Sequence, residues 1–208
     1  MAHYFTTPGD QGIGAKTSSV PLRLPYGPVE EVQLLTAPGV FSASRVDPGT
    51  SVLLRALPQP PARGTFLDIG CGYGPLTVAV AGASPESTLW AIDVNDHALE
   101  LCRRNTERLG MRGVRCARPE HVPDDVRFDF IVSNPAIRIG KPQLHAMLRH
   151  WLDRLVPGGK AYLVVQKHLG ADSLQRWLSE QGWPTERYAS QKGFRILCCT
   201  TARDDRPE

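Results

Sequence analysis

The sequence has no run of apolar residues near the roughly 18 that a membrane-spanning helix requires. Its start, MAHYFTTPGDQG, has neither the basic opening nor the apolar middle of a secretory signal. A cytoplasmic protein is therefore expected. Cysteine is sparse and odd in number: Cys71, Cys102, Cys116, Cys198 and Cys199 form no CxxC pair and mostly lie among apolar neighbours. That pattern reads as reduced core thiols and argues against a disulfide framework or a zinc site. Histidine adds no metal signature. His145 and His150 are five apart, on different faces of a helix, and no glutamate follows His145 as an HExxH motif demands. No metal is expected.

What is present is a chain of 208 residues, enough for one α/β domain with an appendage. The formal net charge is only +3, but it is unevenly spread. Residues 1–130 carry twelve Lys and Arg against fourteen Asp and Glu, a balance of −2; residues 131–200 carry ten against four, a balance of +6. An anionic partner of the C-terminal half would explain this asymmetry, and so would a solvated helix face.

A proline-rich connector, LPQPPARG from Leu57 to Gly64, divides the chain, because proline continues neither a helix nor a central strand. Before it, VPLRL and VEEVQLLT read as strands joined by the turn PYGP, and GVFS as a further short strand. DPGTSVLLRAL then opens a helix with Asp47 as N-cap and Pro48 in its first turn. The first dozen residues show no periodicity and are expected to be mobile or laid over the surface.

After the connector, strands and helices alternate. TFLDI precedes a helix over 75–82. TLWAID precedes one in which Ala98, Leu99, Cys102, Thr106 and Leu109 share a face. VRC is a weak strand and FDFIVS a clear one. The next helix carries Leu144, Met147, Leu148, Trp151, Leu152 and Leu155 as a core-facing stripe, so Met147 and Trp151 read as packing residues. KAYLVV follows a PGG turn, a helix over 171–181 ends at Gly182, and RILCCT closes the pattern. Apolar strands separated by helices imply a parallel sheet covered on both faces, with ligands bound beyond the carboxyl ends of its strands.

Those strand ends carry the chemistry. In LDIGCGYGP, Gly70, Gly72 and Gly74 alternate around Cys71, so the backbone can turn sharply and approach a ligand closely. Pro75 then suits the first turn of a helix whose free N–H groups face that ligand. Nicotinamide and flavin proteins use G-x-G-x-x-G, and here the third glycine comes one residue early. Asp68, two residues before the first glycine, would repel a pyrophosphate but attract a cation. The loop therefore suits S-adenosylmethionine better than NAD. Asp93, followed by Val94, ends the next strand and can accept hydrogen bonds from ribose hydroxyls. Glu120, after the third strand, is placed to take an adenine amino group or simply to face solvent.

The fourth strand ends in Ser133, Asn134 and Pro135. An amide oxygen and a rigid backbone carbonyl can both accept hydrogen bonds from an exocyclic NH2, holding its nitrogen in line with a methyl donor. An ordinary strand-terminating turn would look the same without the glycine loop.

At these residues the sequence resembles the class I S-adenosylmethionine-dependent methyltransferases with an Asn-Pro-Pro-aromatic motif. More narrowly it is similar to the RsmC-type ribosomal RNA guanine-N2 methyltransferases and their single-domain relatives. The likeness runs from about Val29 to Thr200 and includes GVFS with DPGTSVLL, DIGCGYGP, AIDVN, SNPAIRIGK and VPGGKAYLVV. It implies a Rossmann-like α/β fold with a seven-stranded, mostly parallel sheet and a small β-rich N-terminal extension. The implied division is 1–60 as a cleft-covering extension, 61–202 as the cofactor-binding domain and 203–208 as a tail. It assigns S-adenosylmethionine to Asp68, Gly70, Gly72, Gly74 and Asp93, and the target amine to Asn134 and Pro135; Cys71, Val94, Glu120 and Ser133 are expected beside the same cofactor from their places in the chain.

Two residues depart from the family pattern. Ala136 replaces the second proline and Ile137 the aromatic, which removes base stacking of roughly 1 to 3 kcal/mol. Phe41, in the segment expected over the cleft, is a substitute stacking residue or a core phenylalanine. Arg138, Lys141, Lys167, Lys192 and Arg195 are expected on loops or strand ends that could rim the cleft and meet phosphates. The expected activity is N-methylation of guanine in ribosomal RNA, with ribosomal RNA or a ribosomal subunit as partner. A protein glutamine, a small-molecule amine, or a non-catalytic RNA-binding assembly factor are the other readings.

Overall fold

The computed structural model describes residues 17–27, 29–136 and 140–201. The expectations for the first dozen residues, for Ile137 and Arg138, and for the tail lie outside these residues. Among the described residues no helix is long and apolar enough to cross a membrane.

Strands β1 (Ser18–Arg23) and β2 (Glu31–Thr36) pair antiparallel as a separate two-stranded sheet. Helix α1 (Pro48–Ala56) follows, capped as expected: the Asp47 carboxylate accepts from Gly49 N and Thr50 N. The main sheet is built from β3 (Thr65–Ile69), β4 (Thr88–Ile92), β5 (Val114–Ala117), β6 (Phe128–Ser133), β7 (Leu155–Gln166), β8 (Thr185–Gln191) and β9 (Phe194–Thr200). The connecting helices are α2 (Pro75–Ala83), α3 (Asp96–Arg108), α4 (Lys141–Leu152) and α5 (Ala171–Glu180).

The strand order is β5-β4-β3-β6-β7-β9-β8, parallel through β7, with β9 antiparallel to both its neighbours. This is the expected Rossmann-like sheet. From β3 the chain winds outward through β4 and β5 and returns to β6 on the other side, so the order reverses between β3 and β6. That switch point leaves a crevice at their carboxyl ends.

The central strands β3, β4, β6 and β9 and the second half of β7 are buried because each separates two apolar layers. On one face Leu53, Val78, Leu101 and Phe130 pack with Leu22 and Leu34 of the hairpin. On the other, Leu148, Trp151, Leu163 and Leu178 form the second layer. The extension is tied in further by Asn105 of α3, which accepts from Leu35 N at 2.7 Å and donates to Leu35 O and Tyr73 O, each at 2.9 Å.

Local expectations needed correction in four places. GVFS forms a turn, not a strand: the backbone reverses from Pro38 to Ser42, where φ is +56°. The stripe expected to end in Leu155 stops at Leu152, and Leu155 opens β7, which runs through the PGG segment beside an irregularity in its pairing with β6. Leu109 terminates α3 and is 36% exposed. The cysteines called for no such correction: all five are free.

Candidate active site at the carboxyl edge of the sheet

Asp68 is wholly buried in β3, facing α2. Its Oδ2 accepts from the Thr77 hydroxyl at 2.6 Å, while Oδ1 has no partner among the described residues. Burial pushes its carboxyl up to about 7; the Thr77 hydroxyl opposes this and the charge of Asp93 adds to it. A buried carboxylate with an orphaned oxygen is a site prepared for a cation.

The glycine loop closes over this acid. Gly70 N and Cys71 N both donate to Ile92 O, bending the chain across the end of β4. Gly70 and Gly72 have φ of +74° and +57°, and a Cβ on either would meet no atom of the described residues within 4 Å. The missing side chains thus leave open space along the backbone. Gly74 differs: at φ +96° its Cβ would lie 2.9 Å from Cys102 Sγ, so it is glycine for packing as well as for turning.

Asp93 stands opposite. Its Oδ2 accepts from Gly72 N and its Oδ1 from Asn95 N, both at 2.9 Å. Burial raises its pKa, against the backbone N–H groups of Asn95, Gly72 and Val94 and the charge of Arg118. Each oxygen keeps a free lone pair for a further donor.

At the end of β6, half-buried Asn134 is followed by buried Pro135 and exposed Ala136. Its Nδ2 donates to Asp47 Oδ1 at 2.8 Å and to Thr50 Oγ1 at 3.0 Å. The segment from Ala37 to Asp47 is therefore pinned at two points. Asn95 Nδ2 holds Gly39 O at 3.1 Å beside β4, and Asp47 meets Asn134 beside β6. Phe41 lies between these anchors, 68% exposed, so it is not a core residue.

The remaining expected residues divide by environment. Ser133 is buried and donates to Ile69 O at 2.8 Å, locking β6 to β3. Cys71 is buried beneath the loop, and burial pushes its thiol up to about 12. Val94 is half-buried next to Asp93. Glu120 is exposed and paired with Arg118 at 2.9 Å; hydrogen bonds from its own backbone and from Arg118 lower its pKa. Lys141, Lys167 and Lys192 are exposed at this edge. Arg195 is not: it is 7% exposed and ion-paired with Asp172 of α5, so it serves the β9–α5 contact and not the cleft rim. Beside the site, a cavity of about 240 Å³ lies between α4 and α5, lined by Lys141, Leu144, His145, Val165, Ser173 and Leu174.

Sequence reasoning missed three groups. Asp47 was recognised as a cap, but its second partner is 87 residues away. Thr50 carries no signal beyond its place one turn into α1. Tyr73 is 2% exposed, its hydroxyl has no partner among the described residues, and burial, then the charge of Asp47, pushes its pKa up to about 12.

Together the edge offers an anionic, glycine-walled cradle next to an oriented carboxamide. Residues 31–198 match the family model described as methyltransferase small domain. The Bacillus subtilis uncharacterized protein YbxB is 34% identical over 162 residues, covering 76% of this chain and 81% of that protein. Ribosomal RNA small subunit methyltransferase C of Shewanella halifaxensis is 32% identical over 146 residues, covering 68% of this chain but only 42% of that protein. Among solved structures, the T. thermophilus 16S rRNA methyltransferase RsmC, in complex with AdoMet and guanosine, superposes with a TM-score of 0.76 at 24% identity. That match covers 91% of this chain and 52% of the other. A Pyrococcus furiosus methyltransferase gives a TM-score of 0.65 at 21% identity, covering 81% of this chain and 88% of its own.

Proposed function

The chain belongs to the methyltransferase small domain family, and from that premise we propose that it methylates the exocyclic N2 amino group of a guanine in ribosomal RNA. The observation that carries this reading is the pairing of the orphaned Asp68 oxygen and the open faces of Gly70 and Gly72 with the Asn134 amide. S-adenosylmethionine would supply an electrophilic sulfonium methyl. Asp68 fits its amino group, Gly70 and Gly72 its close approach, and Asp93 with Val94 its ribose. We leave Ser133, Cys71 and Glu120 out of direct contact, since their side chains are committed elsewhere or packed away.

In this reading Asn134 Oδ1 and the Pro135 carbonyl accept the two hydrogens of the target amine. They aim its lone pair, and they stabilise the nitrogen as it becomes positive during attack. Neither group is basic enough to keep the proton, which leaves to solvent. A base must leave any helix to reach Asn134, and Phe41 would cover its face. Lys141, Lys167 and Lys192 then meet flanking phosphates. Residues 61–202 act as the cofactor-binding body and 1–60 as its cleft-covering extension. A ribosomal substrate places the protein in the cytoplasm.

RNA is preferred to protein because the exposed cations gather on the strongly basic C-terminal stretch. The absence of an aromatic after Pro135 keeps a protein glutamine, whose NH2 offers the same hydrogens without needing a stacking partner, as the second reading. Labelled S-adenosylmethionine incubated with ribosomal subunits and naked ribosomal RNA should label RNA, and Asn134→Ala should abolish transfer. Label confined to protein would reject the RNA substrate in favour of the glutamine.

A further inference from the structure

The Asn134 amide is not free to turn. A carboxylate oxygen only accepts hydrogen bonds, so the group 2.8 Å from Asp47 Oδ1 must be the NH2, and the opposite end of the amide must be its oxygen. The second amide hydrogen is spent on Thr50 Oγ1 at 3.0 Å. Among the described residues Oδ1 accepts no hydrogen bond, and it is not a buried unpaired atom. Both donors therefore point into the first turn of α1 and the acceptor points outward.

Asp47 is held as firmly as the group it holds. The same Oδ1 accepts from Gly49 N at 2.8 Å and Thr50 N at 3.1 Å, placing the charge at a helix N-terminus that favours it. Thr50 is 6% exposed and α1 is seated against the start of β9, where a Cβ on Gly49 would come 3.0 Å from the Phe194 ring. The two groups are thus mounted on a packed helix.

We infer that Asp47 and Thr50 are positioning residues for methyl transfer, fixing the Asn134 carbonyl toward the target amine. Asp47 does more than aim. Its negative charge, hydrogen-bonded to the amide nitrogen, pushes electron density away toward Oδ1 and makes it a better acceptor as the attacking nitrogen becomes positive. Removing either partner leaves Asn134 in place but lets its amide rotate, so substrate binding is spared and turnover suffers. The inference rests on the methyltransferase reading above, and it explains why a DPGT segment accompanies an Asn-Pro motif 87 residues downstream.

Simple helix capping is the competing role for Asp47, and the variants separate the two. Serine caps a helix as well as aspartate does, but is too short to reach Asn134. Thr50→Val keeps the branched shape and loses the acceptor; Thr50→Ser keeps the acceptor. We expect Thr50→Val to lower kcat about tenfold, with KM for RNA and the dissociation constant for S-adenosylhomocysteine unchanged, and Thr50→Ser to restore it. Asp47→Ser should lower kcat by about 100-fold, the range found when groups that orient an active-site residue are lost, without lowering the melting temperature. Unchanged kcat in both variants would overturn the inference. A measurement independent of activity decides it even if no RNA accepts methyl groups, a result that would sink the proposed function alone. The side-chain NH2 resonances of Asn134, identified by their loss in Asn134→Asp, should exchange slowly with water in the wild type and faster in Thr50→Val and Asp47→Ser. Exchange in the wild type as rapid as that of a free asparagine would refute the lock.

Discussion

Asp68 allows a proton to be counted. In the unliganded protein burial raises its carboxyl from 3.8 to about 7. The group is therefore mostly neutral in mildly acidic solution and charged in alkaline solution. A ligand whose ammonium group pairs with Oδ1 binds the charged form, so binding must expel whatever proton is present. With a free-state pKa of about 7, S-adenosylhomocysteine should release about 0.9 proton near pH 6 and about 0.5 near pH 7. Affinity should fall about tenfold for each pH unit below that value. The same shift has a cost for the empty protein. A folded-state pKa above the unfolded one gives stability that is fully present below 3.8 and lost as pH rises through about 7, on the order of 4 kcal/mol. The raised pKa of Asp93 has the same sign. Thermal unfolding of the empty protein should thus move to lower temperature between these limits, and the ligand should reverse the trend. Calorimetric titration in two buffers of different ionisation enthalpy reads the proton directly, and Asp68→Asn supplies the reference. Equal proton release by wild type and Asp68→Asn near pH 6 would refute the assignment of the ammonium to Asp68.

Two glycine substitutions should separate binding from folding. Gly72→Ala places its methyl clear of every described residue, so it should cost about 1 kcal/mol of stability yet sharply weaken S-adenosylhomocysteine binding. Gly74→Ala drives a methyl to 2.9 Å from Cys102 Sγ, and should lower the denaturation midpoint more than Gly72→Ala does. Asn105→Ala strands Leu35 N, Leu35 O and Tyr73 O at once, which should cost about 3 kcal/mol or more in urea unfolding. A loss under about 1 kcal/mol would show that water replaces the side chain.

The parallel part of the sheet was legible because its strands are apolar on both faces, and TFLDI or FDFIVS can be nothing else in a chain that alternates so regularly with helices. The placement of the glycine loop, Asp68 and Asp93 at the strand ends was legible because it lies in local spacing. β8 was not: TERYASQ is an edge strand with mostly exposed residues, so no apolar alternation marks it. GVFS failed for the opposite reason, since two apolar residues next to a glycine look like a strand until the backbone turns at Ser42. Arg195 misled because adjacent residues on a strand face opposite ways, and the single register choice that buries Ile196 under one layer turns Arg195 toward α5. The link from Asn134 to α1 was invisible, because no short-range rule connects residues so far apart in sequence.

That link constrains how this domain can be reused. The stretch matched in ribosomal RNA small subunit methyltransferase C of Shewanella halifaxensis is 42% of that protein, so there a comparable domain stands beside a further stretch of chain. A recombination that moved only the nucleotide-fold half, cut at the proline-rich connector, would inherit every glycine and acid and still leave its carboxamide swinging. The heritable unit of this chemistry starts upstream of that apparent seam, and a cleaner-looking boundary would yield a binder in place of an enzyme.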